Sequence, residues 1–404
     1  MQHVDSPNQI LGRSQTIGCV AVEITQRCNL DCTLCYLSEH SESVRDLPLE
    51  EIHRRLDDVI IHFGAGTHVQ ITGGDPTLRK HRELVEIVRY AASIGLRPAL
   101  FTNGIAASRK LLEQLAEAGL SDIAFHVDTT QRRKGYADEQ SLNALRAEYL
   151  ERTRGLDLMV IFNTTIHTGN FADLPCLVAF FRDHAEAIGL VSFNLQAETG
   201  RGEWGQRKAV INLHTVKSCI NDVAGQKLPW DAVRVGHREC HTYMPTVVAN
   251  RRIHPVVDDA DLVAQFLRDF PELTALPYRD RAELVMQGLG AILRRPGWWV
   301  RALRYGCQQL TRLGPDLVRS GGQAHKLTFF VQNFMDAKKL DSDRVRACSF
   351  MVMTAEGPVS MCEHNATRDE YILKPLDVVK ADGSVEHFEP LVWADQSGGQ
   401  RGAR

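Results

Sequence analysis

From residue 18 to about 200, short apolar runs alternate with longer amphipathic ones. The short runs are CVAVEIT at 19–25, HVQIT at 68–72, PALFT at 98–102, IAFHVD at 123–128, MVIFNTT at 159–165 and LVSFNLQ at 190–196. They are rich in Val, Ile and Phe, and several lack strict alternation, which predicts strands buried on both faces. Between them, Leu49, Ile52, Leu56, Val59, Ile60 and Phe63 recur at helical spacing. So do Leu84, Val85, Ile87, Val88 and Ala91, and then Leu111, Leu112, Leu115 and Ala116. Gly95 and Gly119 stand where helix C-caps belong. Two more helices are expected over 138–153 and 173–187. Six strands, each followed by a crossover helix, predict an α/β chain with a partial (β/α)6 TIM-like barrel.

Beyond about 205 the pattern loses its regularity. Helical pieces are expected at 212–223, 259–269 and 280–304, and mixed strand and turn over 325–378. The chain therefore divides into an N-terminal extension (1–17), the barrel (18–204) and an irregular α+β C-terminal substrate and auxiliary-site domain (205–390). A small, polar tail (391–404) is expected to be disordered.

Composition narrows the class without naming it. The 404 residues are 44% hydrophobic and 24% charged, with a formal net charge of −3. Such a balance gives no reason to expect a nucleic-acid partner. The N-terminus lacks the basic and apolar regions of a secretory signal, and no apolar run is long enough to cross a membrane. A cytoplasmic setting is expected, so the ten cysteines read as thiols or metal ligands rather than disulfides.

The chemistry gathers where the strands end, which is where such barrels place their sites. After the first strand comes Thr25-Gln-Arg-Cys-Asn-Leu-Asp-Cys-Thr-Leu-Cys-Tyr36. A structural zinc site normally closes with four protein ligands, and iron–sulfur clusters usually take four cysteines. Cys28, Cys32 and Cys35 offer three thiolates, which suggests a [4Fe-4S] cluster with one iron open to a small molecule. After the second strand comes Thr72-Gly-Gly-Asp-Pro-Thr77, where Gly73 and Gly74 would let backbone approach a ligand closely and Asp75 adds a carboxylate. Thr102-Asn103-Gly104 follows the third strand, with a turn and a ligand contact equally open for Asn103. Asp128 and Thr129 follow the fourth, and Asp128 suits ribose hydroxyls. His126 reads as a satisfied core histidine.

These segments, in this order, resemble the radical S-adenosylmethionine (SAM) superfamily over residues 18–200. The resemblance implies that Cys28, Cys32 and Cys35 bind three irons of a [4Fe-4S] cluster and that SAM chelates the fourth. It implies a SAM site at Gly73, Gly74, Asp75, Asn103, Asp128 and Thr129. The implied reaction is reductive SAM cleavage to a 5′-deoxyadenosyl radical that abstracts hydrogen from a substrate C–H bond, with an external donor such as flavodoxin or ferredoxin supplying electrons. No catalytic side chain is assigned. The sequence departs from the family's pattern in Leu34 before the third cysteine, where an aromatic residue is common, and in Asp75 where Glu is common.

Later, Cys348 and Cys362 flank an expected hairpin turning at Ala355-Glu356-Gly357. This resembles the hairpin that opens the auxiliary-cluster domains of some radical SAM enzymes, without their further downstream cysteines. With Cys240 and Cys307 it offers four ligands for a second [4Fe-4S] cluster or a single iron or zinc; the alternative is a metal-free hairpin that caps the barrel. The barrel segments also resemble the group containing tetraether-lipid synthases and pterin methyltransferases.

The substrate class stays open between a lipid or apolar small molecule and a peptide. A non-catalytic SAM-binding or iron–sulfur carrier protein is the rival from another class. The stretch 292–305 interleaves Arg with Trp and Tyr, and only Asp316 is acidic between 294 and 326. That composition suits a peripheral helix on anionic lipid. It also suits a barrel-covering helix with a solvated basic face, which is the reading preferred from sequence.

Overall fold

The computed structural model describes residues 18–202, 207–233, 236–270 and 281–391. The N-terminal extension and the tail from 392 lie outside the described residues.

The six expected βα units are present. The strands are β1 (Cys19–Thr25), β2 (His68–Gly73), β3 (Arg97–Thr102), β4 (Asp122–His126), β5 (Met159–Ile166) and β6 (Leu190–Leu195), each parallel to its neighbour. All seven residues of β1 are buried, as its unalternating sequence requires. Helix α1 (Leu49–Phe63) turns Ile52, Leu56, Val59 and Phe63 onto the sheet, and α2 (His81–Ser93) and α3 (Arg109–Glu117) repeat the arrangement. Gly95 and Gly119 follow α2 and α3 with φ of +87° and +100°, the left-handed C-terminal position that disfavours a Cβ.

The C-terminal segment continues this sheet. Strand β9 (His325–Asn333) pairs parallel with β6, and β10 (Phe350–Thr354) pairs parallel with β1. Eight parallel strands therefore follow one another in the order β10-β1-β2-β3-β4-β5-β6-β9. No backbone ladder joins β9 to β10. Side chains span that gap: Phe330 stacks on Phe350 at 5.6 Å, with Cys19 buried in the same cluster. Antiparallel strands flank both ends. On one side are β7 (His241–Ala249) and β8 (Arg252–Pro255); on the other is β11 (Gly357–Ser360). The expected hairpin is β10–β11, with Thr354 opposite Gly357. The helical run expected at 280–304 is two helices, Arg281–Leu293 and Trp299–Arg319. Pro296 lies between them, at the first turn of a short 3-10 segment, where its fixed φ and missing N–H are tolerated.

Candidate active site

The cysteine loop lies across the C-terminal mouth of the barrel. Gly74 donates its N–H to the Thr25 carbonyl and Asp75 to the Arg27 carbonyl, each at 2.8 Å. A Cβ on Gly73 would lie 1.9 Å from Thr25 O, and one on Gly74 2.0 Å from Arg27 O. The glycine pair thus makes room for the backbone leading into Cys28, a neighbour that sequence alone did not identify. On the other side, Gly202 N–H bonds Cys35 O at 3.1 Å and Arg201 N–H bonds Leu37 O at 2.7 Å. A Cβ on Gly202 would come within 2.5 Å of Cys35 N. Thr33 N–H reaches Thr130 O after β4, at 2.9 Å. Strand ends from β2, β4 and β6 therefore fix one loop. The Gly200-Arg201-Gly202 contribution was missed in the sequence, although a G-x-G just past the sixth strand was its visible signal.

All three thiols are free, with Cys35 buried and Cys28 and Cys32 partly so. Burial pushes the Cys28 and Cys32 thiols up, and each feels the negative charge of its cysteine neighbours and of Asp75 or Asp128. Thiolates held under such conditions need compensating positive charge. Arg201 lies against Cys35, its Nε buried without a hydrogen-bond partner. Among the described residues no three His, Cys, Asp or Glu side chains are arranged for a single metal ion. The donor set of Cys28, Cys32 and Cys35 is all sulfur, which fits an iron–sulfur group.

The two carboxylates at the strand ends are internally bonded. Asp75 accepts from Thr77 N at 3.0 Å, from Thr102 Oγ1 at 2.9 Å and from Asn103 N at 2.8 Å. Asp128 is fully buried. One of its oxygens takes Thr130 N and Oγ1; the other takes Thr165 N at 2.7 Å and His126 Nε2 at 2.6 Å. Burial alone would raise the Asp128 carboxyl, but His126 and these donors hold it well below the usual range. Burial likewise disfavours charge on His126, and Asp128 reverses this, holding the imidazole above its ordinary value. Both carboxylates brace loops. Asn103 Nδ2 lies 3.9 Å from Cys28 Sγ and donates to Asn29 at 2.6 Å. Thr129 N–H binds the buried Glu139, at 2.9 Å.

Inside the barrel a cavity of about 250 Å³ opens beneath the cysteine loop, where Leu34 and Tyr36 form part of its wall. Phe101, Phe330, Phe334 and Phe350 make an aromatic lining, while His126, Asn163, Thr165 and Asn194 supply polar groups. His126 therefore faces the cavity, with 37% of its side chain exposed, in contrast to the core placement expected from sequence. Arg368 also lines the cavity. It pairs with Glu23 at 2.5 Å and lies 4.6 Å over the Tyr36 ring.

Of the four later cysteines, three come together. Cys240, Cys348 and Cys362 interact electrostatically with one another, and Arg344 Nε donates to Cys240 Sγ at 3.3 Å. Cys307 stands apart from them, exposed on Trp299–Arg319.

Residues 22–171 match the family model of the radical SAM superfamily. A PqqA peptide cyclase of Bradyrhizobium diazoefficiens is 32% identical over 164 residues, 39% of this chain and 42% of the relative. A 7,8-dihydro-6-hydroxymethylpterin dimethyltransferase of Methanocaldococcus jannaschii is 26% identical over 186 residues, 45% of this chain and 36% of the relative. The chain thus spans under half the length of these curated relatives. Among solved structures, Streptococcus suis SuiB bound to precursor peptide SuiA aligns with a TM-score of 0.41 and 16% identity, covering 51% of this chain and 46% of that one.

Proposed function

We propose that this chain is a radical SAM enzyme acting on a C–H bond of a substrate held in the barrel cavity. The observation that carries this reading is the cavity's position, directly beneath a loop that presents three free thiols. Cys28, Cys32 and Cys35 would hold a [4Fe-4S] cluster. With SAM at its open iron, such a cluster would supply the one-electron reduction of SAM and the hydrogen-atom abstraction that this reading requires, and the residues of this chain would place the substrate for it.

The chain's own residues orient and enclose. SAM would lie over the ends of β2–β4, where Gly73, Gly74, Asp75, Asn103, Asp128 and Thr129 stand. Asp75 and Asp128 serve that site by fixing its loops, since their oxygens are already bonded within the protein. His126 lines the cavity and is oriented there by the bond of its Nε2 to Asp128. Asn163, Thr165 and Asn194 offer hydrogen bonds to substrate, and the phenylalanine wall excludes water. Electrons would come from a flavodoxin- or ferredoxin-like donor.

The largely apolar lining, with Phe101, Phe330, Phe334 and Phe350 in it, favours an apolar small molecule or a lipid-derived group. The similarity to a PqqA peptide cyclase supports a second reading, in which one side chain of a peptide enters the same cavity. We also propose a second metal group that would draw on Cys240, Cys348 and Cys362, whose thiols act on one another electrostatically.

The test is anaerobic reconstitution with iron and sulfide, followed by dithionite and SAM. Release of 5′-deoxyadenosine is expected. A protein that binds iron and SAM yet never yields that product would be a carrier or SAM-binding protein, not this enzyme.

A further inference from the structure

The helix Trp299–Arg319 is turned the opposite way from an ordinary surface helix. Its inward face is polar. Tyr305 Oη donates to Val256 O, Gln308 Nε2 to Asp258 at 2.9 Å and Gln309 Nε2 to Val256 O at 3.2 Å. Arg312 pairs with Asp258 at 2.5 Å, and Asp316 accepts from Asn250 at 3.0 Å. Its outward face is apolar. Val300, Leu303, Leu310 and Val318 are 78%, 70%, 68% and 80% exposed, and Cys307 is exposed with them. Positions 300, 303, 307, 310, 314 and 318 advance by three or four residues, so they form a single stripe.

The stripe is not isolated. Met286, Leu289 and Leu293 are exposed on Arg281–Leu293, and Trp299 is about half exposed at the start of the longer helix. Of the fourteen large apolar side chains exposed among the described residues, eight fall between 286 and 318. An apolar surface concentrated in this way marks a contact face. Its charge selects the partner. Among the described residues, Arg294, Arg301 and Arg304 have no carboxylate partner, and Asp316, the one acidic residue between 294 and 326, is buried on the opposite side.

We infer that this face docks on an anionic lipid surface. The helices lie flat, with the stripe at the acyl boundary and the arginines at the headgroups. No helix among the described residues is long and apolar enough to cross a membrane, so the contact is peripheral. This inference stands independently of the reading of the barrel site.

The test uses the full chain and sedimentation with vesicles of phosphatidylcholine alone, or mixed equally with phosphatidylglycerol. Three arginines near an anionic surface should favour the mixed vesicles by roughly a hundredfold, and high salt should remove most of that preference. Leu303→Glu/Leu310→Glu changes two exposed positions, so the fold should persist while vesicle binding is lost. Equal binding to both vesicle types, or no loss in the variant, would overturn the inference. So would failure to bind vesicles together with self-association that the variant abolishes, since the face would then be an interface between copies.

Discussion

Arg368 and Glu23 form a buried ion pair that ties the C-terminal segment to the first barrel strand across 345 residues of sequence. Gln26 donates to the other Glu23 oxygen at 2.9 Å, and the guanidinium covers Tyr36, the residue after Cys35. Removing one partner strands a buried charge. Arg368→Ala should therefore destabilise the protein by about 3–5 kcal/mol. The Glu23→Leu/Arg368→Met double variant should recover most of that loss. Chemical denaturation of the three proteins checks it, and a double variant no better than the single one would contradict the account.

The same pair should shape acid unfolding. Burial alone would raise the Glu23 carboxyl, but Arg368 beside it more than offsets this and brings it from 4.5 to about 2. The unfolded chain thus binds this proton at higher pH than the native one does. The stabilisation is present above pH 4.5 and is lost as pH falls toward 2, amounting to about 3 kcal/mol. Glu23→Gln should flatten the stability-versus-pH curve in that window and leave its shape above pH 4.5 unchanged.

Gly202 has no room for a side chain against Cys35. Gly202→Ala must displace the cysteine loop, with a stability cost of about 1–3 kcal/mol. Iron bound after reconstitution should fall while the far-UV circular dichroism is retained. Gly306, in the long helix, has open space around it; Gly306→Ala should leave iron unchanged and stabilise the helix by about 1 kcal/mol. Full iron loading of Gly202→Ala would show that the close approach is unimportant.

Cys28→Ala/Cys32→Ala/Cys35→Ala removes the first ligand set. Iron remaining in that variant should disappear when Cys240, Cys348 and Cys362 are also replaced, and should survive Cys307→Ala. A triple variant with no iron would rule out the second site.

The six barrel strands were legible because burial on both faces leaves continuous apolar runs, and observed strand ends fall within two residues of those read from sequence. The joining of β10 to β1 was not legible. Phe350–Thr354 pairs with residues more than three hundred positions earlier, and no local pattern encodes so distant a partner. Gly73 and Gly74 announced a close approach, but only the fold shows that Thr25 and Arg27 are what approaches. Asp128 looked open because a carboxylate after a strand carries no mark of its donors; Thr165, which bonds it, lies on the next strand. The basic and aromatic composition around 292–305 was plain in sequence, but the helix was expected to end near 304, whereas it runs to Arg319. Which face turns inward was not legible, because that depends on Val256 and Asp258 accepting hydrogen bonds from its polar side.

The most direct test of the central claim is the electron paramagnetic resonance spectrum of the dithionite-reduced protein, recorded with and without SAM. A cluster held by Cys28, Cys32 and Cys35 leaves one iron for SAM, so its signal should change when SAM is added. That SAM-responsive signal should be absent from the Cys28→Ala/Cys32→Ala/Cys35→Ala variant. A wild-type signal indifferent to SAM, or a SAM-responsive signal that persists without these cysteines, would contradict the account.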